Sequence, residues 1–423
     1  MKKSLIAGLC GLMLTAFSSV SSFADRYVGG DISLLPEYEK AGSIYKTHDG
    51  TSIADLLPWL HDEGMNAMRV RLFVNPADHK AKYPYKYDPN ACQDLEYITP
   101  LCQQIVGDGF KLMLDFHYSD TWADPAKQWT PEAWKNLSDE QLYDKIYEYT
   151  KDCLLSLKAA GVTPAFIQPG NEISYGMLWG AEDAPASSLK KTFMGSDANW
   201  QRFATLLRQA IKACREVCPE AKIVLHTERV AQTDVLSNFY DQMKKLDVDY
   251  DIIGLSYYPY FHGGMNVLDK ALSTLQTRYP EKNIMIVETG YSYKWEVPGS
   301  NHDFSSQWPY SDEGQDAFAK DLVATLEKYD HVDGLFWWWM EYNAYGTSLS
   351  GWYNAPLFNS LDGCATSALH TICSFAENSA VPTVGVSGSE ADTICYDLTG
   401  RPTDANSPGI KIQNGKKHLI PAR

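Results

Sequence analysis

The chain has 423 residues, and its 53 acidic and 37 basic side chains give a formal net charge of −16 at pH 7. Such an acidic surface repels nucleic acids and anionic membranes, whereas it tolerates a neutral ligand such as a polysaccharide. After the first residues, no apolar run reaches the roughly 18 residues that a membrane-spanning helix needs. We therefore expect neither a nucleic-acid partner nor a membrane span, and the oligomeric state stays open.

Residues 1–24 predict a secretory signal peptide. Lys2 and Lys3 form a positive segment, Leu5–Phe17 is an apolar segment too short to span a membrane, and Ser22–Ala24 is a small-x-small cleavage pattern. Cys10 raises the alternative of a lipoprotein, but no small residue stands directly before it. We expect a secreted chain, located in the periplasm, at the cell surface or outside the cell.

Amphipathic helices alternate with short apolar strands along residues 25–376. The helical stripes repeat every three or four residues, as in Leu142–Leu157, which ends at Gly161. The strands are mostly apolar throughout, as parallel strands buried on both faces are. Eight strand–helix units in series predict the α/β class and a (β/α)8 TIM barrel, with an open doubly wound sheet as the alternative. The predicted strands are Tyr27–Ser33, Asn66–Phe73, Lys111–His117, Ala165–Gln168, Lys222–His226, Asp251–Tyr257, Asn283–Glu288 and Gly334–Trp338.

The composition changes after a helix-like segment at Cys364–Phe375. Residues 377–390 are rich in Ser, Gly, Val and Pro and predict a linker. Residues 391–423 predict a short C-terminal β appendage, with a turn at Asn414-Gly415. Its expected strands are Thr393–Tyr396, Gly409–Gln413 and Lys416–Ile420.

Eight cysteines follow the expected signal peptide, and they are dispersed without a CxxC pair. This spacing argues against a zinc site. Cys102, Cys153 and Cys214 fall on apolar helical stripes, which favours buried free thiols. A disulfide such as Cys364–Cys373 stays open, because spacing alone does not establish pairing.

Polar and aromatic side chains gather at the predicted strand ends, where a (β/α)8 barrel places its active site. Two glutamates follow apolar strands: Glu172 after the fourth and Glu288 after the seventh. One glutamate alone would indicate a helix cap or a surface carboxylate, but two of them three strands apart favour catalysis. The other residues at these ends are Arg69, Arg71, Asp115, His117, Asn171, His226, Tyr258 and Trp338.

Glycoside cleavage needs such a pair of carboxyl groups. One group stays protonated and donates to the leaving oxygen, a role that suits Glu172; the other attacks the anomeric carbon, which suits Glu288. Arg69 or Arg71 could keep Glu288 ionised, and Tyr258 could orient it. A carboxyl separation of about 5–5.5 Å gives retention of configuration, and one of about 6.5–9.5 Å gives inversion.

Six tryptophans lie in or beside loops at the same end. Flat indole faces stack on the apolar faces of sugar rings, so the group favours a sugar cleft, although any one tryptophan can equally belong to the core. Asp120 and Asp124, after the third strand, can accept hydrogen bonds from sugar hydroxyls. The six are Trp122, Trp129, Trp134, Trp179, Trp338 and Trp352.

No cofactor and no metal are expected. The histidines show neither an HExxH motif nor paired metal-ligand spacing, and no phosphate loop or GxSxG is present. Asn301 and Asp303 are too few oxygen ligands for a recognisable calcium loop. Calcium is therefore left open there but not predicted.

Several segments between Tyr27 and Phe375 resemble glycoside hydrolase family 53, the arabinogalactan endo-β-1,4-galactanases of clan A. The most specific is LDFHYSDTWADPAKQ at residues 114–128, which is similar to the family's strand-three signature. GNEISYGMLW at residues 170–179 resembles its acid/base segment. The segments IIGLSYYPYFHG, IMIVETGY and GLFWWW resemble strands six, seven and eight, and the opening GGDISLLPEYEKAG is also similar.

The resemblance implies retaining, internal cleavage of β-1,4-galactan, as found in type I arabinogalactan side chains of pectin. It implies Glu172 as acid/base, Glu288 as nucleophile and Asn171 as the residue that binds the sugar 2-hydroxyl. The chain departs from the family where Trp338-Trp339-Met340 stands in place of Trp-Glu-Pro, which affects the subsites near strand eight. The expected substrate-binding residues are Arg69, Asp115, His117, Asp120, Trp122, Asn171, His226, Tyr258 and Trp338.

Two other functions remain open from the sequence. Another clan A endo-glycanase, a mannanase or a cellulase, differs only in the loops that set specificity. A non-catalytic glycan-binding barrel is the alternative from a different class, but binding alone does not need a pair of glutamates.

Overall fold

The structure, a computed structural model, describes residues 26–193, 197–342 and 355–377, together with four short strands between residues 395 and 420. The chain divides into two compact units, Met1–Glu377 and Asn378–Arg423. The expected signal peptide and nearly all of the expected linker lie outside the described residues, so those boundaries stay predictions. Within the described ranges, no helix is both long enough and apolar enough to cross a membrane.

Eight parallel strands close into a barrel in chain order, and the first strand pairs with both the second and the eighth. This closure confirms the (β/α)8 prediction and excludes the open sheet. Each strand agrees with its predicted run to within two residues at either end. The strands are β1 Tyr27–Asp31, β2 Ala67–Leu72, β3 Lys111–Phe116, β4 Phe166–Pro169, β5 Lys222–Thr227, β6 Ile252–Tyr257, β7 Asn283–Thr289 and β8 Val332–Trp337.

Helices surround the barrel and bury their apolar stripes against the outer faces of the strands. Local sequence sets their ends: Ser138 and Gln141 form a capping box at the start of the helix Asp139–Ala159, and Gly161, with φ of +83°, follows its end. The helices are α1 Leu35–Lys40, α2 Leu56–Asp62, α3 Pro76–Lys82, α4 Leu95–Gly107, α5 Asp139–Ala159, α6 Asp197–Val217, α7 Thr233–Lys245, α8 Pro259–His262, α9 Met265–Arg278, α10 Asp312–Leu326 and α11 Ser367–Glu377, with 3-10 turns at Glu132–Trp134 and Ala186–Ser188.

The barrel interior has an apolar layer with a polar layer above it. Side chains alternate along each strand, so every second residue points inward. On β2 the inward series is Ala67, Arg69 and Arg71, and on β5 it begins with Val224 and His226. The polar members of these series lie at the C-terminal ends of the strands, where the parallel barrel brings them together. The apolar layer consists of Ala67, Met113, Phe166, Val224, Ile252, Met285, Val287 and Phe336.

A β-bulge near the end of β7 breaks this alternation. Leu255 pairs with Ile286, but the next residue of β6, Ser256, pairs with Glu288, so Val287 is an extra residue in β7. Val287 belongs to the inner apolar layer, and strict alternation would turn Glu288 outward. The bulge lets both side chains face the interior, as bulges beside active sites commonly do.

The second unit contains a four-stranded sheet in the order β10-β9-β11-β12. Its antiparallel hairpin pairs Gln413 with Lys416, as the predicted turn at residues 414–415 requires, although those two residues lie outside the described ones. The short strand at residues 402–403 was not predicted from the sequence. The strands are β9 Cys395–Tyr396, β10 Pro402–Thr403, β11 Gly409–Gln413 and β12 Lys416–Ile420.

The cysteines follow the expectation of buried thiols. Cys102, Cys153 and Cys214 are buried and free. Cys364 also carries a free thiol, so the pairing with Cys373 that the spacing left open is not formed in this structure. The helix-like segment predicted from residue 364 begins later, at Ser367.

Candidate active site

A cavity of about 680 Å³ opens at the C-terminal ends of the barrel strands, and both Glu172 and Glu288 line it. This is the position that the sequence predicted for the site. Five other expected or weighed residues share its wall: Trp122, Asp124, Asn171, Tyr258 and Trp338.

Glu172 lies on a sharp turn directly after β4. Gly170 has a φ of +114°, and a Cβ there would lie 2.6 Å from the side chain of Ile173, so only glycine fits the turn. Glu172 itself has a φ of +48°, a conformation that other residues than glycine seldom adopt and that is frequent at functional sites. The turn directs its carboxyl group into the cavity, where Ser256 Oγ donates a hydrogen bond of 2.7 Å to Oε1.

Glu288 lies opposite, on the bulged end of β7. Arg69 Nη2 is 3.0 Å from its Oε1, and the Tyr258 hydroxyl donates to its Oε2 over 3.2 Å. Arg69 and Tyr258 therefore make the two contacts with Glu288 that were expected from the sequence, an ion pair and a hydrogen bond.

The two carboxyl groups are close neighbours. One oxygen of Glu172, one of Glu288 and a ring nitrogen of His226 all lie within 4.8 Å of one another. This separation is near the roughly 5–5.5 Å of retaining glycosidases and well below the about 6.5–9.5 Å that leaves room for a water between the groups.

The environments of the two glutamates differ in charge. Burial, and then the nearby charge of Glu288, raise the pKa of Glu172 well above its ordinary value. Burial also raises the pKa of Glu288, to about 7, but the Arg69 guanidinium opposes this shift. Because two carboxylates this close do not both ionise readily, the pair holds one proton in common, and the cation beside Glu288 leaves that proton on Glu172.

Arg69 is the centre of a buried network beneath the cavity. Its guanidinium contacts Asp31 Oδ2 at 3.1 Å, Asp115 Oδ2 at 2.7 Å and Asn171 Oδ1 at 2.8 Å. The Asn171 amide also donates to the Ala123 carbonyl over 2.8 Å. These contacts fix the residue before Glu172 and the cation beside Glu288 in one framework.

His226 is a neutral hydrogen-bonding group in this framework. Burial, followed by the positive charge of Arg69, lowers its pKa well below the ordinary value. Its Nδ1 accepts from the Gln168 amide at 2.8 Å and from the Glu172 backbone N–H at 3.3 Å, while its Nε2–H donates to Ser256 Oγ at 2.8 Å. Since Ser256 donates in turn to Glu172, His226 orients the Glu172 carboxyl group through Ser256.

His117 lies behind the cavity. Its Nδ1 accepts the Ala123 backbone N–H at 3.1 Å, and its Nε2 lies 3.1 Å from Asp115 Oδ2. Arg69, Asp115, His117 and His226 thus support the cavity from below, whereas the sequence analysis grouped them with the residues that contact substrate.

Three indole rings surround the second buried arginine, Arg71. Its guanidinium carbon lies 4.8 Å from the ring centre of Trp122, 5.0 Å from Trp338 and 5.2 Å from Trp339. The planes of Trp122 and Trp338 are inclined by 70°, and their centres are 6.1 Å apart. The aromatic wall of the cavity is therefore angular and not flat.

Asp120 does not lie where the sequence analysis placed it. Its two carboxylate oxygens accept the backbone N–H groups of Asn75 and Glu132, at 3.0 and 2.7 Å, in a separate small cavity beside His79 and Glu182. Asp120 thus links two loops, because a carboxylate close to unpaired backbone N–H groups accepts hydrogen bonds from them.

The expected tryptophan cleft is smaller than predicted. Trp134 and Trp179 are only 3% and 1% exposed and belong to the packed interior, while Trp129 lines the small cavity that contains Asp120. Trp122 and Trp338 do line the main cavity, joined by Trp339. Trp352 lies outside the described residues.

Three residues of the site, Ser256, Gln168 and Glu228, were not predicted from the sequence. Ser256 and Gln168 hydrogen-bond to the predicted residues, and Glu228 lines the cavity itself. Period-two alternation would have found Glu228, because it stands two residues after the inward-facing His226.

Three side chains of the site could each offer one ligand atom to a metal ion: Glu172, His226 and Glu288. However, both nitrogens of His226 are already engaged by hydrogen bonds, and Arg69 already supplies positive charge beside Glu288. These contacts suit an acid–base pair. In the loop where calcium was left open, Asp303 Oδ1 accepts the Ser305 backbone N–H at 2.8 Å.

The chain is similar in sequence and in fold to several known proteins. An arabinogalactan endo-beta-1,4-galactanase of Cellvibrio japonicus is 32% identical over 357 residues, which cover 80% of this chain and 86% of that one. The Ignisphaera aggregans GH53 catalytic domain superposes with a TM-score of 0.71 at 33% identity, covering 82% of this chain and 95% of that one. A fungal beta-1,4-galactanase structure gives a TM-score of 0.67 at 29% identity, covering 82% and 99%.

The profile of glycosyl hydrolase family 53 matches residues 27–372, which is the whole barrel with its carboxyl pair. The chain belongs to glycosyl hydrolase family 53.

Proposed function

We propose that this protein is an endo-acting, retaining β-1,4-galactanase that cleaves galactan, the type I arabinogalactan side chain of pectin. The observation that carries the proposal is the carboxyl pair, with oxygens of Glu172 and Glu288 within 4.8 Å. The galactanase names of the family relatives support the choice of substrate.

In the first step, a carboxylate oxygen of Glu288 attacks the anomeric carbon, and the bond from that carbon to the glycosidic oxygen breaks. Glu172 transfers its proton to the departing oxygen, so the leaving chain departs with a free hydroxyl. The products are a glycosyl ester on Glu288 and an ionised Glu172. Arg69, at 3.0 Å, stabilises the anionic form of Glu288 before the attack.

In the second step, the ionised Glu172 takes a proton from a water molecule, whose oxygen attacks the same carbon. The ester bond breaks, Glu288 becomes ionised again, and Glu172 regains its proton. Two inversions at one carbon give a product with the original β configuration. Ser256 and His226 keep the Glu172 carboxyl group in place through both steps.

The angular cavity supports galactan over flat polysaccharides. The axial 4-hydroxyl of galactose makes β-1,4-galactan a coiled chain, and the 70° inclination between Trp122 and Trp338 suits successive rings in different planes. Asn171 lines the cavity beside Glu172, and we assign it the recognition of the 2-hydroxyl of the attacked sugar. Polar groups left unpaired by the wrong epimer would reject mannan and cellulose.

Reducing-sugar release from a panel of purified polysaccharides tests the substrate. We expect short galacto-oligosaccharides from unbranched galactan and little product from cellulose, mannan or xylan. Rapid hydrolysis of mannan or cellulose with galactan untouched would make the protein another endo-glycanase. Binding of galactan without any hydrolysis would make it a glycan-binding barrel.

We also propose that the chain is exported, because Lys2, Lys3 and Leu5–Phe17 form the first two parts of a signal peptide. N-terminal sequencing of the protein recovered from the producing cells tests this. A mature chain that starts at Asp25 is the expected result, and an intact N-terminus would contradict it.

A further inference from the structure

A third carboxyl group, Glu228, lies in the wall of the cavity that contains the catalytic pair. It follows β5 in the inward register set by Val224 and His226, and only 6% of the residue is exposed. The charge of Glu228 also contributes to the raised pKa of Glu172, so the two groups are electrostatic neighbours. The steps described above give Glu228 no role.

One oxygen of Glu228 is fully engaged by protein groups. Ser174 Oγ donates to Oε1 over 2.5 Å, and Arg229 Nε lies 2.6 Å from the same oxygen. The Arg229 guanidinium is itself held over the ring of Tyr175, at 4.0 Å from its centre. These contacts fix the plane of the Glu228 carboxyl group before any ligand arrives.

The other oxygen, Oε2, is buried and finds no hydrogen-bond partner in the described parts of the chain. A buried acceptor without a donor is rare and costly in a native protein. Glu228 lines the cavity, so a ligand bound there would lie beside this carboxyl group, and a sugar hydroxyl is a donor of the kind that Oε2 lacks.

The barrel order places Glu228 on one side of the carboxyl pair. Strands β5 and β6 lie between the acid on β4 and the nucleophile on β7, while the tryptophan wall comes from the opposite arc, β8 to β3. Ser174, which binds Glu228, is two residues after the acid Glu172 and belongs to the same turn. Glu228 is thus connected by a hydrogen bond to the turn that carries Glu172, the residue that protonates the departing sugar.

We propose that Glu228 is a specificity-determining residue that accepts a hydrogen bond from a hydroxyl of the sugar unit on the leaving-group side of the cleaved bond. This inference rests on the proposed function. It assigns to Glu228 the recognition of a galactose unit in the leaving chain, while the tryptophans of the opposite arc bind the part of the chain that remains on the enzyme.

The substitution Glu228→Gln tests this assignment with little change in shape. The glutamine carbonyl oxygen can still accept from Ser174 and Arg229, but an NH2 donor replaces the free acceptor Oε2 and the negative charge is lost. Burial raises the pKa of Glu228 to about 7, so the kinetics are measured above pH 7, where this carboxyl group is ionised. The loss of a hydrogen bond to a charged group should then lower kcat/KM about tenfold or more.

Two substrates with the same sugar to be attacked separate the outcomes. A linear galacto-oligosaccharide has a sugar as its leaving group, whereas phenyl β-galactobioside has a phenol, which needs the proton of Glu172 but carries no hydroxyl for Glu228. We expect Glu228→Gln to lower kcat/KM for the oligosaccharide and not for the phenyl glycoside. Equal losses on both would show that Glu228 acts only through Glu172 or the fold, and no loss on either would also overturn the assignment.

Asp333→Asn is the matched control. Asp333 is 5% exposed, and its Oδ1 is likewise buried without a hydrogen-bond partner among the described residues, but it lies at the other end of the barrel. This variant should treat both substrates as the unsubstituted protein does. If the unsubstituted protein cleaves neither substrate, the proposed function itself has failed, which is a different result from an indifferent Glu228→Gln variant.

Discussion

The two ends of the barrel each contain a cavity and a buried carboxyl group of raised pKa, yet they differ in what surrounds that group. At the N-terminal end, a cavity of about 340 Å³ is lined by Tyr27, Lys222, Lys282 and Asp333. Burial raises the pKa of Asp333 to about 7, and its side chain contacts the amide of Asn283. Among the described residues, Asp333 forms no ion pair.

At the C-terminal end, the carboxyl group of raised pKa, Glu172, lies beside a second carboxyl group, Glu288. The second group in turn contacts a cation, Arg69. Glu172 and Glu288 have oxygens within 4.8 Å, and Arg69 lies 3.0 Å from Glu288. A raised pKa alone therefore does not define a catalytic site, because burial produces it at both ends. What distinguishes the C-terminal end is an arrangement that gives two neighbouring carboxyl groups different protonation states.

The largest effect should come from neutralising either member of the pair. Glu172→Gln removes the proton donor and Glu288→Gln removes the nucleophile, so each should lower kcat by several orders of magnitude, whereas Asp333→Asn should leave kcat nearly unchanged. Steady-state kinetics on galactan, with circular dichroism to check folding, measures this. Comparable losses in all three folded variants would remove the distinction between the two ends.

Activated substrates sharpen the assignment within the pair. An aryl glycoside with a good leaving group needs little protonation, so Glu172→Ala should retain much more activity on it than on galactan. Glu288→Ala should lose activity on both substrates. If Glu172→Ala lost both equally, its role as the acid would be wrong.

A smaller effect should separate the cavity tryptophans from the buried ones. Trp338→Phe shrinks the aromatic wall and should raise the KM for galactan several-fold with a lesser change in kcat. Trp134 is 3% exposed and packs against Tyr149 with ring centres 5.3 Å apart, so Trp134→Ala should cost about 3–5 kcal/mol of stability. Its KM should stay unchanged, and a KM rise in folded Trp134→Ala alone would contradict the position of the cleft.

The pH dependence of activity should reflect the raised pKa of the nucleophile. Activity needs Glu288 ionised and Glu172 protonated. Burial raises the pKa of Glu288 to about 7, although the charge of Arg69 opposes this shift. The value of kcat/KM should therefore rise with pH, and the midpoint of this rise should lie above the ordinary pKa range of glutamate. Activity should fall again at higher pH, as Glu172 loses its proton. An acid limb at or below pH 4 would show that Arg69 outweighs burial.

The smallest effect should concern stability at the N-terminal end. The folded-state pKa of Asp333, about 7, lies above its unfolded value near 4, so the folded protein binds the extra proton between these pH values. Stability from this group is complete below about pH 4 and declines as pH rises toward 7. Between pH 4 and 7, the Tm of the Asp333→Asn variant should therefore fall less than the Tm of the unsubstituted protein. An identical pH dependence of Tm would show that Asp333 is not perturbed.

The sequence predicted the positions of Glu172 and Glu288 better than those of the residues around them. Glu172 and Glu288 were recognisable because each ends an apolar strand, and parallel strands of a closed barrel bring such ends together. Glu288 nonetheless faces the interior only because of the bulge at Val287. The alternation of residues along β7 does not predict this bulge. Its inward position could be inferred from chemistry but not from alternation.

The types of the residues around the two glutamates were predicted, but not which of them line the cavity and which lie behind its wall. Arg69, Asp115, His117 and His226 were assigned to the substrate, because a strand-end position does not say whether a side chain lines the cavity or supports it. Asp120 was misplaced for a similar reason: a carboxylate in a loop has nearby backbone amides as partners, and here those of Asn75 and Glu132 bind it. Loop conformation decides such cases, and it depends on contacts distant in sequence.

Trapping the glycosyl ester tests the central claim most directly. An activated 2-deoxy-2-fluoro-β-galactobioside should inactivate the protein, because the fluorine slows the second step more than the first. Mass spectrometry of the digested protein should then find one 2-deoxy-2-fluorogalactobiosyl group, attached to the peptide that contains Glu288 and absent from the Glu288→Gln variant. Attachment to another residue, or rapid turnover of galactan whose first-formed product has the inverted configuration without any ester, would contradict the double displacement on Glu288.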